Sequence, residues 1–274
     1  MEHESGGDSG KDRGGSDYGN DAGRDVGDEP APSIRDAAPD YLSPIDASGR
    51  VSGHVPPRES AASVSESPEQ DWGHARSLLY PVLRPAGTAG MRLDTVDPST
   101  LAAASHSHAQ PLIDEGPHGL VVVYAIHAGA FDVIVNGDHL LTWAIPPAEI
   151  RSAAFANLAA WSANAPWTDE VSGDRRLVSS DTGDGWDAVR ILLPDVRAHL
   201  AGELASTGRV LVGVPERHLL VAGTLSAGDT EFAALFADFV VDQSSGADEP
   251  VDQRVFELVD GVLVPFTGAT GASG

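Results

Sequence analysis

"RVLVGVPERHLLVAG", Arg209 to Gly223, holds two runs of β-branched and aliphatic residues parted only by the polar "ERH" at 216–218. So short a link makes the pair a hairpin, because parallel strands need a crossover of about a dozen residues or more. A second hairpin is expected in "RVFELVDGVLVPF", 254–266, where Asp260-Gly261 supplies a two-residue turn. Between them, "DTEFAALFADFVVDQ" has the spacing of a helix with Phe232, Leu235, Phe236 and Phe239 on its buried face.

The same signals recur upstream. "GLVVVYAI", 119–126, is a continuous apolar run that suits a strand buried on both faces. "FDVIVNGDHLLTW" follows, with Asn136-Gly137 as a turn signal. "PPAEIRSAAFANLAAWSA" sets Ile150, Ala153, Ala154, Leu158 and Trp161 on one helical face, with prolines at its start and Glu149 in its first turn. A short strand is expected in "RRLVSSDTGDG", 175–185. A further helix starts afresh at Pro194, runs through Val196, Leu200 and Leu204, and stops at Gly208. Order begins at residues 69–85, where Trp72, Ala75, Leu78 and Leu79 share a face and Pro81 and Pro85 impose extended chain. Residues 86–110 and 164–174 read as loops. Hairpins mixed with helices give an α+β fold: a mixed or mostly antiparallel sheet packed against three or four helices, in one domain over 69–266.

Residues 1–68 are rich in Gly, Asp, Ser and Pro and read as a disordered acidic tail, as do 267–274. Only "DYLSPI" at 40–45 and "GRVSGHV" at 49–55 offer apolar spots for docking. The net charge is −24 with a single lysine, Lys11, and no basic stripe, which argues against a nucleic-acid partner. The absence of cysteine removes disulfides, thiolate catalysis and cysteine-ligated zinc. The N-terminus lacks the basic and apolar regions of a secretory signal, and no window is apolar enough for a membrane span, so a cytoplasmic location without membrane contact is expected.

One stretch raises a site question. In "GDGWDAVRILLP", 183–194, Asp184, Asp187 and Arg190 recur at three-residue intervals. As structure, Asp184 caps a helix and Asp187 pairs with Arg190 one turn on. As chemistry, the two carboxylates bind a divalent cation and Arg190 an anionic group, with Asp181 or Asn157 completing the set. These three residues are the catalytic candidates. Asp184 and Asp187 are also metal candidates, as are His106 and His108 of "HSH", which share a face if extended. A divalent cation is the one cofactor this set admits, and none is expected from any motif. His127 ends a buried strand within reach of His118 or His139. Glu216 and His218 could serve acid/base work, but an exposed charged turn is the favoured reading of "ERH". No nucleophile elbow, phosphate loop or dinucleotide motif is present.

Taken in order, "LLYPVLRP" (78–85), "VVYAIHAGAFDVIV" (122–135), "AEIRSAAFANLAAW" (148–161), "GDGWDAVRILL" (183–193), "RVLVGVPERHLLVAG" (209–223) and "FELVDGVLVPF" (256–266) resemble the YtpQ-like family of uncharacterised bacterial proteins. Trp186 meets that family's Asp-Gly-aromatic-Asp-Ala motif, and Asn157 and Leu158 meet its helix. The departure is the polar tail where the family carries a folded N-terminal region. The resemblance implies a compact α+β module and supplies no activity. Because the core is well patterned while no residue set has mechanistic spacing beyond what structure explains, a non-catalytic protein-binding module is the expected function, with a metal-assisted hydrolase or phosphate-ligand binder at Asp184, Asp187 and Arg190 as the alternative.

Overall fold

A computed structural model describes residues 67–268 apart from Ala130 and Thr207, so the tails expected at 1–68 and 267–274 fall almost wholly outside it. The described residues form six α-helices and eleven strands. The order is α1 (Trp72–Leu78), β1 (Leu79–Arg84), β2 (Met91–Arg92), α2 (Pro98–Ala103), β3 (Leu112–Glu115), β4 (Val121–His127), β5 (Asp132–Ile134), α3 (Gly137–Trp143) and α4 (Pro147–Ser162). The chain continues through β6 (Thr168–Ser172), β7 (Arg175–Ser180), a 3-10 turn at Ala188–Leu192, α5 (Pro194–Leu204), β8 (Arg209–Glu216), β9 (Leu219–Leu225), α6 (Thr230–Gly246), β10 (Val255–Val259) and β11 (Val262–Pro265). The fold is α+β, and its strands divide between two sheets.

In the first sheet, β4 takes β1 along one edge, while β3 and β5 share the other end to end. Among the described residues only β2 and β3 pair in parallel. The second sheet is antiparallel throughout, in the order β11-β10-β8-β9-β7-β6. The 209–223 hairpin is its centre, which explains the unbroken apolar run: every residue of β9 is buried.

The largest core takes alternate residues of both sheets. Val122, Tyr124 and Ile126 of β4 and Val210, Val212 and Val214 of β8 pack there with Ile150, Ala154 and Leu158 of α4 and Val196, Leu200 and Leu204 of α5. Full burial of each Val, Leu or Ile side chain contributes about 1.5–3 kcal/mol before entropy is charged. On the other face of the second sheet, Phe232, Phe236 and Val240 of α6 cover Leu211, Leu219 and Val221. Two glycines allow that close approach: a Cβ on Gly213 would lie 2.5 Å from Val240, and one on Gly223 2.9 Å from Phe232.

Several expectations need correction. Asn136-Gly137 makes no hairpin turn; Asn136 caps α3, its side chain accepting from the His139 amide at 3.1 Å while the Asn136 amide donates to His139 Nδ1 at 3.2 Å. The supposed loop at 86–110 contains β2 and α2, the latter started by Asp97, whose carboxylate accepts from the Ser99 amide at 2.9 Å. The supposed loop at 164–174 contains β6, turned back onto β7 through Gly173 at φ 66°. On α6, Phe232 and Phe236 are buried, but Leu235 is 54% and Phe239 38% exposed, because the sheet covers only part of the apolar stripe. No helix among the described residues is long and apolar enough to cross a membrane.

Candidate functional site

After β7 the chain passes through Gly183 (φ 79°) and Gly185 (φ 85°), left-handed conformations that glycine adopts at no steric cost. Trp186 then enters the core and stacks on Tyr80 at 3.9 Å between ring centroids. This reversal carries Asp187 and Arg190 inside, at 0% and 1% exposure, while Asp184 stays at the surface.

Inside, the two charges meet through a hydroxyl. Ser180 Oγ donates to Asp187 Oδ1 at 2.5 Å and accepts from Arg190 Nη1 at 2.5 Å. Thr182 supplies Asp187 with two more donors, its amide at 3.2 Å and its hydroxyl at 2.9 Å. Arg190 donates through Nε to Ser162 Oγ at 2.9 Å and through Nη2 to the Ser162 carbonyl at 3.1 Å, and its guanidinium lies 4.0 Å from the Trp167 ring centroid. Burial pushes the guanidinium pKa down to about 10 against the opposing pull of Asp187, so Arg190 keeps its charge at neutral pH. No buried side-chain nitrogen or oxygen among the described residues lacks a partner. The buried charges are thus paired and hydrogen-bonded, the condition under which burial is tolerated.

Asp184 is not the helix cap expected of it. Its amide donates to Thr182 Oγ1 at 3.2 Å, and its carboxylate accepts from Trp161 Nε1 at 2.9 Å. Asp187 occupies the cap position of the 3-10 turn, but its side chain makes no cap bond and reaches back to Ser180 and Thr182. Asp187 and Arg190 form no surface ion pair. Of the proposed completing groups, Asn157 donates to the Arg76 and Leu79 carbonyls at 2.8 Å each, and Asp181 is exposed.

Asp184 borders a cleft of about 380 Å³ that also presents Arg84, His127, Asp132, Arg217 and Glu249. Sequence reasoning treated Arg217 as part of an exposed turn, but its side chain is only 11% exposed. It binds Asp132 through Nη2, Glu249 at 3.0 Å and the Gly185 carbonyl at 2.9 Å. Arg84 adds a 2.7 Å bond to Glu249, and His127 Nδ1 lies 3.1 Å from Asp132. Burial disfavours the Asp132 carboxylate, yet the hydrogen bonds from Arg217 and His127 prevail and hold its pKa low. The chain of charges ties the first sheet to the β8–β9 turn. Asp132 orients His127 as in acid/base sites, but among the described residues no serine, threonine or cysteine lines the cleft, and Asp132 and Glu249 are already engaged by arginine.

The remaining histidines are dispersed. The His106 and His108 ring centroids lie 4.8 Å apart with their planes tilted by 54°, and His108 Nε2 lies 3.0 Å from the Leu101 carbonyl. His118 contacts the Leu263 carbonyl at 2.6 Å, and His139 is held in the α3 cap; neither meets His127. Glu216 borders an adjoining acidic cleft with Asp242 and Asp248, and His218 and Glu249 line both clefts. Among the described residues no group of three or more ligating side chains is placed to hold a metal ion.

One feature escaped sequence reasoning because its residues had been assigned to a buried face. Between α6 and the β7–β6 edge runs an open groove of about 500 Å³ floored by Leu177, Phe232 and Phe236 and flanked by Leu235, Phe239 and Glu170. Arg175 bounds it, binding Asp229 at 2.9 Å and Glu231 at 2.8 Å. No family model, curated protein or solved structure matches the chain.

Proposed function

We propose that this chain is a non-catalytic, cytoplasmic protein-binding module and that the α6–β6 groove is its binding surface. The observation that carries this reading is the exposure of Leu235 and Phe239 beside a strand edge, where apolar area remains to be buried by a partner. The ionisable groups elsewhere support it: Asp187 and Arg190 are saturated inside the core, and Asp132 and Glu249 are paired with arginines. No observation favours metal-assisted hydrolysis or phosphate binding at Asp184, Asp187 and Arg190. Membership of the YtpQ-like family is likewise a proposal, resting on the ordered segments alone.

Replacing Leu235 and Phe239 together with aspartate tests the reading. Both are exposed, so the thermal midpoint holds, within about 0.5 kcal/mol of stability per site, while proteins that co-purify with wild type are lost. Unchanged co-purification contradicts it, as does turnover of a substrate by wild type that Asp187→Asn abolishes.

A further inference from the structure

β6 is an outer strand of the six-stranded sheet, so among the described residues one row of its backbone N–H and C=O groups faces no other strand. Such an edge is a template for an added strand. All five residues of Thr168–Ser172 are exposed, Val171 at 68%. The register with β7 sorts their side chains. Glu170 lies opposite Leu177 on the α6 face, and Asp169 and Val171 lie opposite Val178 and Arg176 on the other. Arg176 neutralises Asp169 at 2.7 Å. Glu170, on the groove's lip, enters no ion pair among the described residues.

A second copy of the chain is a poor occupant of this edge. Antiparallel pairing of β6 with itself about Glu170 sets carboxylate against carboxylate, and each copy brings a net charge of −24. Like charges directly opposite destabilise a strand pair, whereas opposite charges support it.

We infer that the groove receives an extended segment of a partner protein that carries basic and large apolar residues in turn at every second position, and so on one face. The segment adds to β6 as a further strand, sets a lysine or arginine against Glu170, and lays an apolar side chain against Leu235 and Phe239. Backbone bonding supplies the alignment, and the side chains of one face supply selectivity. This rests on the binding reading above and adds to it the partner's conformation and charge.

The 274-residue chain is titrated with a capped synthetic peptide of repeating Lys-Thr-Leu-Thr, which sets lysine and leucine on one strand face, followed by anisotropy and amide hydrogen exchange. The same repeat with glutamate in place of lysine, and a peptide of the first composition with its lysines grouped at one end, serve as controls. The lysine repeat is expected to bind, to slow exchange within Thr168–Ser172, and to exceed both controls by about tenfold. Glu170→Lys, at an exposed position, is expected to reverse the charge preference with an unchanged thermal midpoint. Equal binding of the grouped peptide reduces the effect to net charge and overturns the inference. Equal binding of the glutamate peptide at β6 overturns the basic assignment while leaving the groove a binding surface. Protection confined to α6 overturns strand addition but keeps the groove, and no protection at either element removes both. Protection of β6 that rises with protein concentration without peptide overturns the inference in favour of a second copy.

Discussion

Asp187 and Arg190 are buried three residues apart and form no direct ion pair; the Ser180 hydroxyl stands between them, 2.5 Å from each. The arrangement holds the end of β7, the 3-10 turn and the end of α4 in one place, since Ser162 closes α4 and accepts from the same guanidinium.

Arg190→Met is therefore expected to cost about 3–5 kcal/mol, the loss found when one partner of a buried charged network is removed. Ser180→Ala costs less, about 1–3 kcal/mol, by leaving two buried groups short of a partner. In a double-mutant cycle Asp187→Asn and Arg190→Met are strongly non-additive although they do not touch, with a coupling of roughly 0.5–3 kcal/mol. Urea unfolding measures all three, and additive losses sink the bridging role of Ser180.

Acid sensitivity is expected from the Arg217 network. Burial raises the Asp132 and Glu249 pKa values, but hydrogen bonds from Arg217, with His127 on Asp132 and Arg84 on Glu249, bring them below the ordinary 3.8 and 4.5. With the folded pKa depressed, the unfolded chain takes up protons first as pH falls. The stability these groups contribute is full above the ordinary values and disappears as pH drops through the folded ones. Arg217→Gln should lower the thermal midpoint at neutral pH and flatten its fall below about pH 4.5. Parallel profiles for wild type and variant would show that Arg217 does not set the two carboxyls.

Close docking of α6 depends on bare backbone beneath it. Gly213→Ala places a methyl 2.5 Å from a Val240 methyl in a packed layer, and a loss of about 1–3 kcal/mol is expected. An unchanged denaturation midpoint would mean that α6 shifts freely, against the close packing of Phe232, Phe236 and Val240 on the sheet.

Much of this architecture was legible in the residues. The 209–223 and 254–266 hairpins, the helices over 147–162 and 230–246, and the fresh start at Pro194 all follow from periodicity and local turn or cap chemistry. Failures came where one residue type serves two local purposes. Asparagine before glycine favours both a hairpin turn and a helix cap, and only the tertiary position of α3 chooses between them. α2 lies in an Ala/Ser/His stretch without apolar periodicity, though Asp97-Pro98 carries a cap-and-first-turn signature that could have found it. The candidate site was half legible. Spacing marked Asp184, Asp187 and Arg190 as unusual, but the partners that bury the last two, Ser162, Ser180 and Thr182, are set by the fold. The exposed flank of α6 was invisible because an apolar stripe does not state how wide a surface will cover it.

The cap of α3 offers a local check. Asn136→Ala removes the acceptor for the His139 amide and should cost about 1 kcal/mol, whereas Asn136→Asp preserves it. Equal losses in thermal denaturation would rule out the cap as the reason for asparagine here.

The groove itself is tested most directly by photo-crosslinking inside cells that express the chain, with a photoreactive residue placed at Leu235 and, separately, at exposed Glu149 on α4. A binding surface between α6 and β6 gives a discrete crosslinked partner from position 235 that is absent from position 149 and is lost on Glu170→Lys. The same weak, heterogeneous products from both positions would contradict it.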